Sequence, residues 1–195
     1  MRQSLRVRAC VAAILLTLVF LIVLRSLDLE TPNTVAPHGI ISLEVAGTVE
    51  RADAIKAVWI SKFGDLQRAW LSIIIDFGFL LVYSTALGLS CILAHEMFQA
   101  KGVWTGVGFP RIGVLLAWGA SMAGLLDILE NLAMMAILWG ARGEIWPQLS
   151  HSFATVKFAF VLAGLLYSVL GVGWSLCDWW ACLSSWVRAR RNTSV

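Results

Sequence analysis

The sequence predicts an all-α fold: a four-transmembrane-helix bundle with an amphipathic surface helix in its first outer loop. Three observations predict it. Four apolar runs punctuate the 195 residues, each near or above the length of about 20 residues that crosses about 30 Å of hydrocarbon. Apolar residues make up 59% of the chain and charged residues only 14%, whereas soluble domains sit nearer half and a quarter. Tryptophans gather at the ends of the runs, where indoles prefer the membrane–water interface. The chain reads as a single membrane domain over residues 1–195, with no low-complexity tract and no internal repeat.

The first span covers residues 9–25, preceded by Arg2, Arg6 and Arg8 and closed by Arg25. A charged start followed by an apolar stretch also fits a secretory signal peptide. However, Arg25-Ser26-Leu27-Asp28 offers no small-x-small cleavage site, and three more spans follow. An uncleaved span with snorkelling arginines is therefore expected.

The outer loop, residues 26–68, opens with the turn-forming stretches Thr31-Pro32-Asn33 and Pro37-His38-Gly39. Ile41-Ser42-Leu43-Glu44-Val45 alternates apolar and polar and predicts a short strand or extended segment. From Thr48, a suitable N-cap, the period becomes helical. Ala52, Ile55, Trp59 and Phe63 share a face that should turn to the membrane surface or to the outer ends of the spans.

The second span covers residues 69–94, the third 112–139 and the fourth 152–177. The loop from His95 to Arg111 holds Gly102, Gly106, Gly108 and Pro110; the loop from Gly140 to His151 holds Pro147. Four spans put both termini on one side. That side carries eight basic residues (Arg2, Arg6, Arg8, Lys101, Arg111, Arg188, Arg190, Arg191) against six on the other, most of them in the long first loop. Long loops weigh less in setting orientation, so cytoplasmic termini are expected. Trp70, Trp139 and Trp146 then mark the outer interface, and Trp104, Trp174, Trp179 and Trp180 the inner one.

Cys10, Cys91, Cys177 and Cys182 all fall in the inner half or at the inner surface, so a disulfide framework is not expected. Without a C-x-x-C pair, a metal site is not expected either. The net charge of +3 is spread along the span edges rather than over one basic face, which argues against a nucleic-acid partner.

Ionisable residues inside spans are costly and call for partners. With 1.5 Å of rise per residue, Asp76 lies roughly 10 Å from the outer end of its span, Glu130 and Asn131 about 12–14 Å, Asp127 about 18 Å and Lys157 about 8 Å. Asp127, Glu130, Asn131 and Met134 share a helix face, and Tyr83 lies two turns from Asp76 on the same side. These residues predict one polar core between the second, third and fourth spans, in the outer half of the bilayer, with Glu130 and Lys157 as a pair. Three carboxylates against one ammonium leave a formal excess of negative charge, which a proton, a cation or water must offset. The competing reading is interhelical glue, with Ser84 and Gly88, Ala120 and Gly124, and Gly164, Ser168 and Gly171 supporting close packing.

No phosphate-binding loop, H-E-x-x-H or nucleophile elbow occurs, and no catalytic residue is assigned. No span carries inward histidines for haem, and no cofactor is expected. His95-Glu96 reads as a solvated interfacial pair rather than a metal site.

The strings Ile41-Ser42-Leu43-Glu44-Val45-Ala46-Gly47-Thr48, Asp76-Phe77 with Tyr83-Ser84, Asp127-Ile128-Leu129-Glu130-Asn131 and Ala154-Thr155-Val156-Lys157-Phe158 resemble an uncharacterised family of small bacterial four-span membrane proteins. The resemblance covers most of the chain after the first span. It implies a bacterial inner membrane and lends weight to the acidic and Lys positions, without implying an activity.

The expectation is a non-enzymatic membrane protein, either an accessory subunit of a larger membrane complex or a small-ligand binder. Asp76, Tyr83, Asp127, Glu130, Asn131 and Lys157 are its ligand- or proton-binding candidates, and lipids are its surroundings. The alternative is a small proton- or ion-coupled transporter acting as an oligomer with itself. A membrane enzyme using Asp127 or Glu130 as acid or base ranks third.

Overall fold

The computed structural model describes residues 2–27, 35–61, 64–100 and 111–192, with side chains left undescribed at positions 2, 65 and 175–192. The described residues are helical, with no strand among them. α1 spans Arg2–Leu27, α2 Ile40–Glu44, α3 Val49–Ser61, α4 Asp65–Ala100, α5 Ile112–Trp139 and α6 Ile145–Asn192. α1, α4, α5 and α6 are each long and apolar enough to cross a membrane, which suggests a membrane protein. Their outward faces agree: Leu15, Ile22, Leu81, Leu115, Leu162 and Val169 are all exposed, and so much apolar surface needs an apolar solvent.

α4, α5 and α6 pack against one another and form the heart of the bundle, while α1 leans on α4. Small residues set the spacing. Gly88 sits over Ala117 and Ala120, Gly124 against Ser84, Gly164 against Leu87, and Gly171 against Ala94. These are the packing positions expected from the sequence, and they let backbones approach closely where no hydrophobic effect drives helices together. α1 meets α4 at Gly78, which makes room for the Phe20 ring, and lower down where Cys10 Sγ lies 3.3 Å from Ser90 Oγ.

α2 and α3 close one end of the bundle, the capped end; the start of α1, the end of α4 and the start of α5 lie at the other, the terminal end. The segment expected as a strand is instead the short helix α2. Period-two alternation does not govern it: Ser42 and Leu43 are buried while Ile41 and Val45 are exposed. Ser42 Oγ accepts the His38 amide at 3.0 Å, and the Val45 amide reaches Ile41 O at 3.2 Å, so local bonds satisfy a backbone that has no strand to pair with.

α3 follows its helical period. Thr48 caps it by accepting the Arg51 amide at 3.3 Å, and Glu144 accepts the Val49 amide at 3.2 Å. Negative charge there suits the positive end of the helix dipole. Ala52, Ile55 and Trp59 turn into a core with Leu43 of α2, Ala69 and Ile73 of α4, and Met134, Ile137 and Leu138 of α5. Of the two destinations expected for this face, it takes the bundle end. Phe63 lies outside the described residues. Lys56 completes the join by donating to Ile137 O at 3.1 Å, a carbonyl in the last turn of α5 that also accepts the Gly140 amide at 3.1 Å. Gly140, at φ 96°, turns the chain out of α5 in a left-handed conformation that glycine adopts without strain.

The fourth span departs most from expectation. α6 starts at Ile145 rather than 152, because Pro147 falls in the first helical turn. There a missing N–H costs no hydrogen bond, so the proline starts the helix instead of keeping it open. α6 then continues unbroken past 177 to Asn192. α4 likewise exceeds the expected 69–94 at both ends. Trp70 and Trp139 meet edge-to-face at 6.3 Å at the capped end. Trp146 instead packs partly into the cap core. Trp104 and the side chains of Trp179 and Trp180 lie outside the described residues, as do the loop residues Gly102, Gly106, Gly108 and Pro110.

Candidate functional site

The early start of α6 decides the level at which its lysine works. Lys157 lies about 18 Å from the beginning of α6, not about 8 Å, and Asp127 lies about 18 Å from the capped end of α5. The two therefore meet level with each other. Lys157 Nζ donates to Asp127 Oδ1 at 2.8 Å, and Glu130 Oε2 stands 2.8 Å from the same nitrogen. The expected Glu130–Lys157 pair exists as an ion pair. It is half of a three-residue arrangement, however, and the well-oriented hydrogen bond goes to Asp127.

Asn131, one turn of α5 beyond Asp127 and next to Glu130, donates its side-chain amide to Asp76 Oδ2 on α4 at 2.7 Å. Tyr83, two turns along α4, places its hydroxyl close to Asp127 but without hydrogen-bond geometry. All six residues singled out from the sequence thus fall in one layer between α4, α5 and α6.

The sequence reading missed Glu44. From α2, its carboxylate reaches to 3.9 Å from Lys157 Nζ. Ser150, one turn into α6, donates to the Glu44 carbonyl at 3.3 Å and fixes the short helix over the layer. A signal existed: Glu44 is the lone Asp, Glu, Lys or Arg between residues 31 and 49. The strand reading gave it a place on a solvated face and so concealed it.

Among the described residues, four carboxylates and one ammonium therefore share the layer, a formal charge of −3. Its hydrogen bonding is incomplete. Glu130 is 0% exposed, yet neither of its carboxylate oxygens has a hydrogen bond; Asn131 Oδ1 and the Tyr83 hydroxyl are likewise buried without one. Buried polar atoms are nearly always paired, and the exceptions tend to mark strain, chemistry or an unseen partner. No cluster of three or more His, Cys, Asp or Glu with metal-holding geometry occurs among the described residues.

No known protein family, curated protein or solved structure matches the chain. Functional inference rests on the geometry.

Below Tyr83 the bundle turns apolar. Leu87, Cys91 and Ala120 form the next core, and Cys91 Sγ lies 3.6 Å from both Ser168 Oγ and Gly164 O. His95 and Glu96, read as a solvated pair, part company. His95 is buried against Gly113 with Nδ1 3.4 Å from the Tyr167 hydroxyl, while Glu96 turns out to pair with Arg6 of α1. Cys10 and Cys91 are free thiols; the side chains of Cys177 and Cys182 lie outside the described residues.

Proposed function

We propose that the protein is a non-enzymatic bacterial inner-membrane protein that binds a proton in the layer around Lys157. Both termini are cytoplasmic in this reading, which places the capped end outside and the layer beneath it. The bias of basic residues toward the terminal end supports that orientation.

The observation that carries the reading is the charge imbalance at Glu130. A carboxylate with no exposure and no hydrogen bond stands among three other acids and shares a single lysine with them. Uncompensated charges in a low-dielectric interior are strongly disfavoured. A layer serving only as interhelical glue would need neutral hydrogen bonds, each worth about 0.6 kcal/mol on average, and no excess of acids. One proton shared among Asp127, Glu130 and their neighbours lowers the imbalance and supplies the missing donor.

Packing below the layer favours a binding site over a carrier. The contacts of Gly88 with Ala117, Gly164 with Leu87 and Gly171 with Ala94 leave the terminal half closed by small side chains. The test is infrared spectroscopy of the purified chain. A carbonyl stretch of a protonated carboxylic acid is expected, with its frequency or amplitude changed in both Glu130→Gln and Asp127→Asn. A spectrum with carboxylate bands alone would sink the reading.

A further inference from the structure

A buried proton site needs a route to water, and side-chain exposure around Lys157 is graded. It falls from 12% at Glu44 to 8% at Lys157, 4% at Asp127 and 0% at Glu130. The order follows the geometry: Glu44 belongs to the cap, Lys157 stands beneath it, and the two acids of α5 lie behind the lysine. We propose that Glu44 is the port through which protons enter and leave the layer, with the Lys157 ammonium as the carrier between Glu44 and the buried acids. This rests on the proton-binding reading above.

The step balances without a further reactant. A hydronium ion at the capped end protonates a Glu44 carboxylate oxygen and leaves water. Lys157 Nζ passes one of its protons to Glu130 Oε2 or Asp127 Oδ1, each 2.8 Å away, and is for that moment a neutral amine. The Glu44 carboxylic acid then returns a proton to Nζ. The ammonium and the Glu44 carboxylate are restored, and the net change is one proton gained by an α5 acid. The 3.9 Å between Glu44 Oε2 and Nζ must shorten to a hydrogen bond for the transfer. Both side chains carry enough rotatable bonds to close it while the backbone stays fixed.

The surroundings of Glu44 favour this role. Lys157 faces it from α6 and Glu130 from α5, and Asp76 on α4 also feels its charge. α3 turns Ala52, Ile55 and Trp59 into the cap core and sends Lys56 away to the Ile137 carbonyl. The cap is also held by the Ser150 bond to the Glu44 backbone carbonyl and by the Lys56 bond to Ile137, which a change of charge on the Glu44 carboxylate leaves in place. Asp76 is also partly exposed, but it sits about 16 Å along α4, at a level where its surroundings are hydrocarbon rather than water.

The experiment is an acid jump on the full chain in liposomes, with the carboxylic acid band followed in time. Glu44→Gln should slow the growth of the band about a hundredfold, the lower range of what a positioned proton carrier contributes. Glu44→Asp should recover part of the rate. Ser150→Ala loosens α2 but keeps the carboxylate, and it should exchange at close to the wild-type rate. A wild-type rate in Glu44→Gln overturns the port, as does equal slowing by Ser150→Ala, or a larger slowing by Asp76→Asn. If wild type gains no band at any pH, the proton-binding reading itself falls, an outcome distinct from a band whose growth ignores Glu44.

Discussion

Lys157 is the residue on which the layer turns, since its ammonium faces Asp127, Glu130 and Glu44 together. Removing one partner of a buried pair typically costs about 3–5 kcal/mol, because the stranded charge keeps its desolvation penalty. Lys157→Met should therefore be strongly destabilising in detergent unfolding. Rescue should depend on which acid is neutralised. Since the oriented hydrogen bond goes to Asp127, Lys157→Met with Asp127→Asn should recover more stability than Lys157→Met with Glu130→Gln. Coupling energies in the range of about 0.5–3 kcal/mol are expected for both pairs. Equal single and summed effects in both cycles would mean that the lysine is partner to neither. Asp76, Tyr83, Asp127, Glu130, Asn131 and Lys157 were all legible in the sequence, because ionisable residues in an apolar run stand out and helical spacing gives their faces. Glu44 was only half legible: its isolation in an otherwise uncharged stretch stood out, but nothing in a loop sequence says that a five-residue helix will fold back onto the lysine.

At the scale of elements, glycines separate contact from empty space. A methyl group at Gly171 would lie 2.5 Å from Ala94 Cβ and 3.0 Å from its Cα, whereas one at Gly173 would meet nothing within 4 Å. Gly171→Ala should destabilise by about 1–3 kcal/mol through overpacking. Gly173→Ala should be neutral or stabilising by up to about 1 kcal/mol, as alanine is the better helix former. Melting temperatures of the two variants would check this, and a similar loss in both would disprove the assigned packing of α6 on α4. Lys56→Met should cost about 1.5–3 kcal/mol, the range for hydrogen bonds to charged groups, by removing the ammonium donor while the Ile137 carbonyl keeps only its bond from the Gly140 amide. Reduced protease resistance of the cap would be its signature.

Element boundaries show where sequence reasoning stops. The third span was legible to the residue because Arg111 precedes it and Gly140 ends it. The fourth was not, because Pro147 reads as a breaker until its place in the first turn is known. The strand reading of residues 41–45 failed for a related reason: alternation over five residues fits either period, and burial through tertiary contacts chose the helix.

For the whole molecule, sidedness is the testable property. A reporter active only outside the cytoplasm should work when fused after Glu144 and fail after Val195. A strong signal at the C-terminus would overturn the proposed orientation. The bundle also divides unequally, with α4, α5 and α6 interlocked around the charged layer and α1 leaning on α4. Gly78→Val at the α1–α4 contact should therefore shift α1 while leaving the infrared signature of the layer in place.

The length of α6 has a mechanical consequence. At 1.5 Å per residue its 48 residues extend about 72 Å, against about 30 Å of hydrocarbon. Much of this rod therefore projects beyond the bilayer at the terminal end. Lys157 grips it near the opposite end, leaving an arm of about 50 Å to Asn192. A tilt of about 10° about that grip would sweep the tip through about 9 Å, so under the proposed function a proton gained or lost at one carboxylate would be felt as displacement far from the layer. Spin labels at Val172 and near residue 192 would read it: their distances to a label on α1 should change unequally with pH, the farther one more.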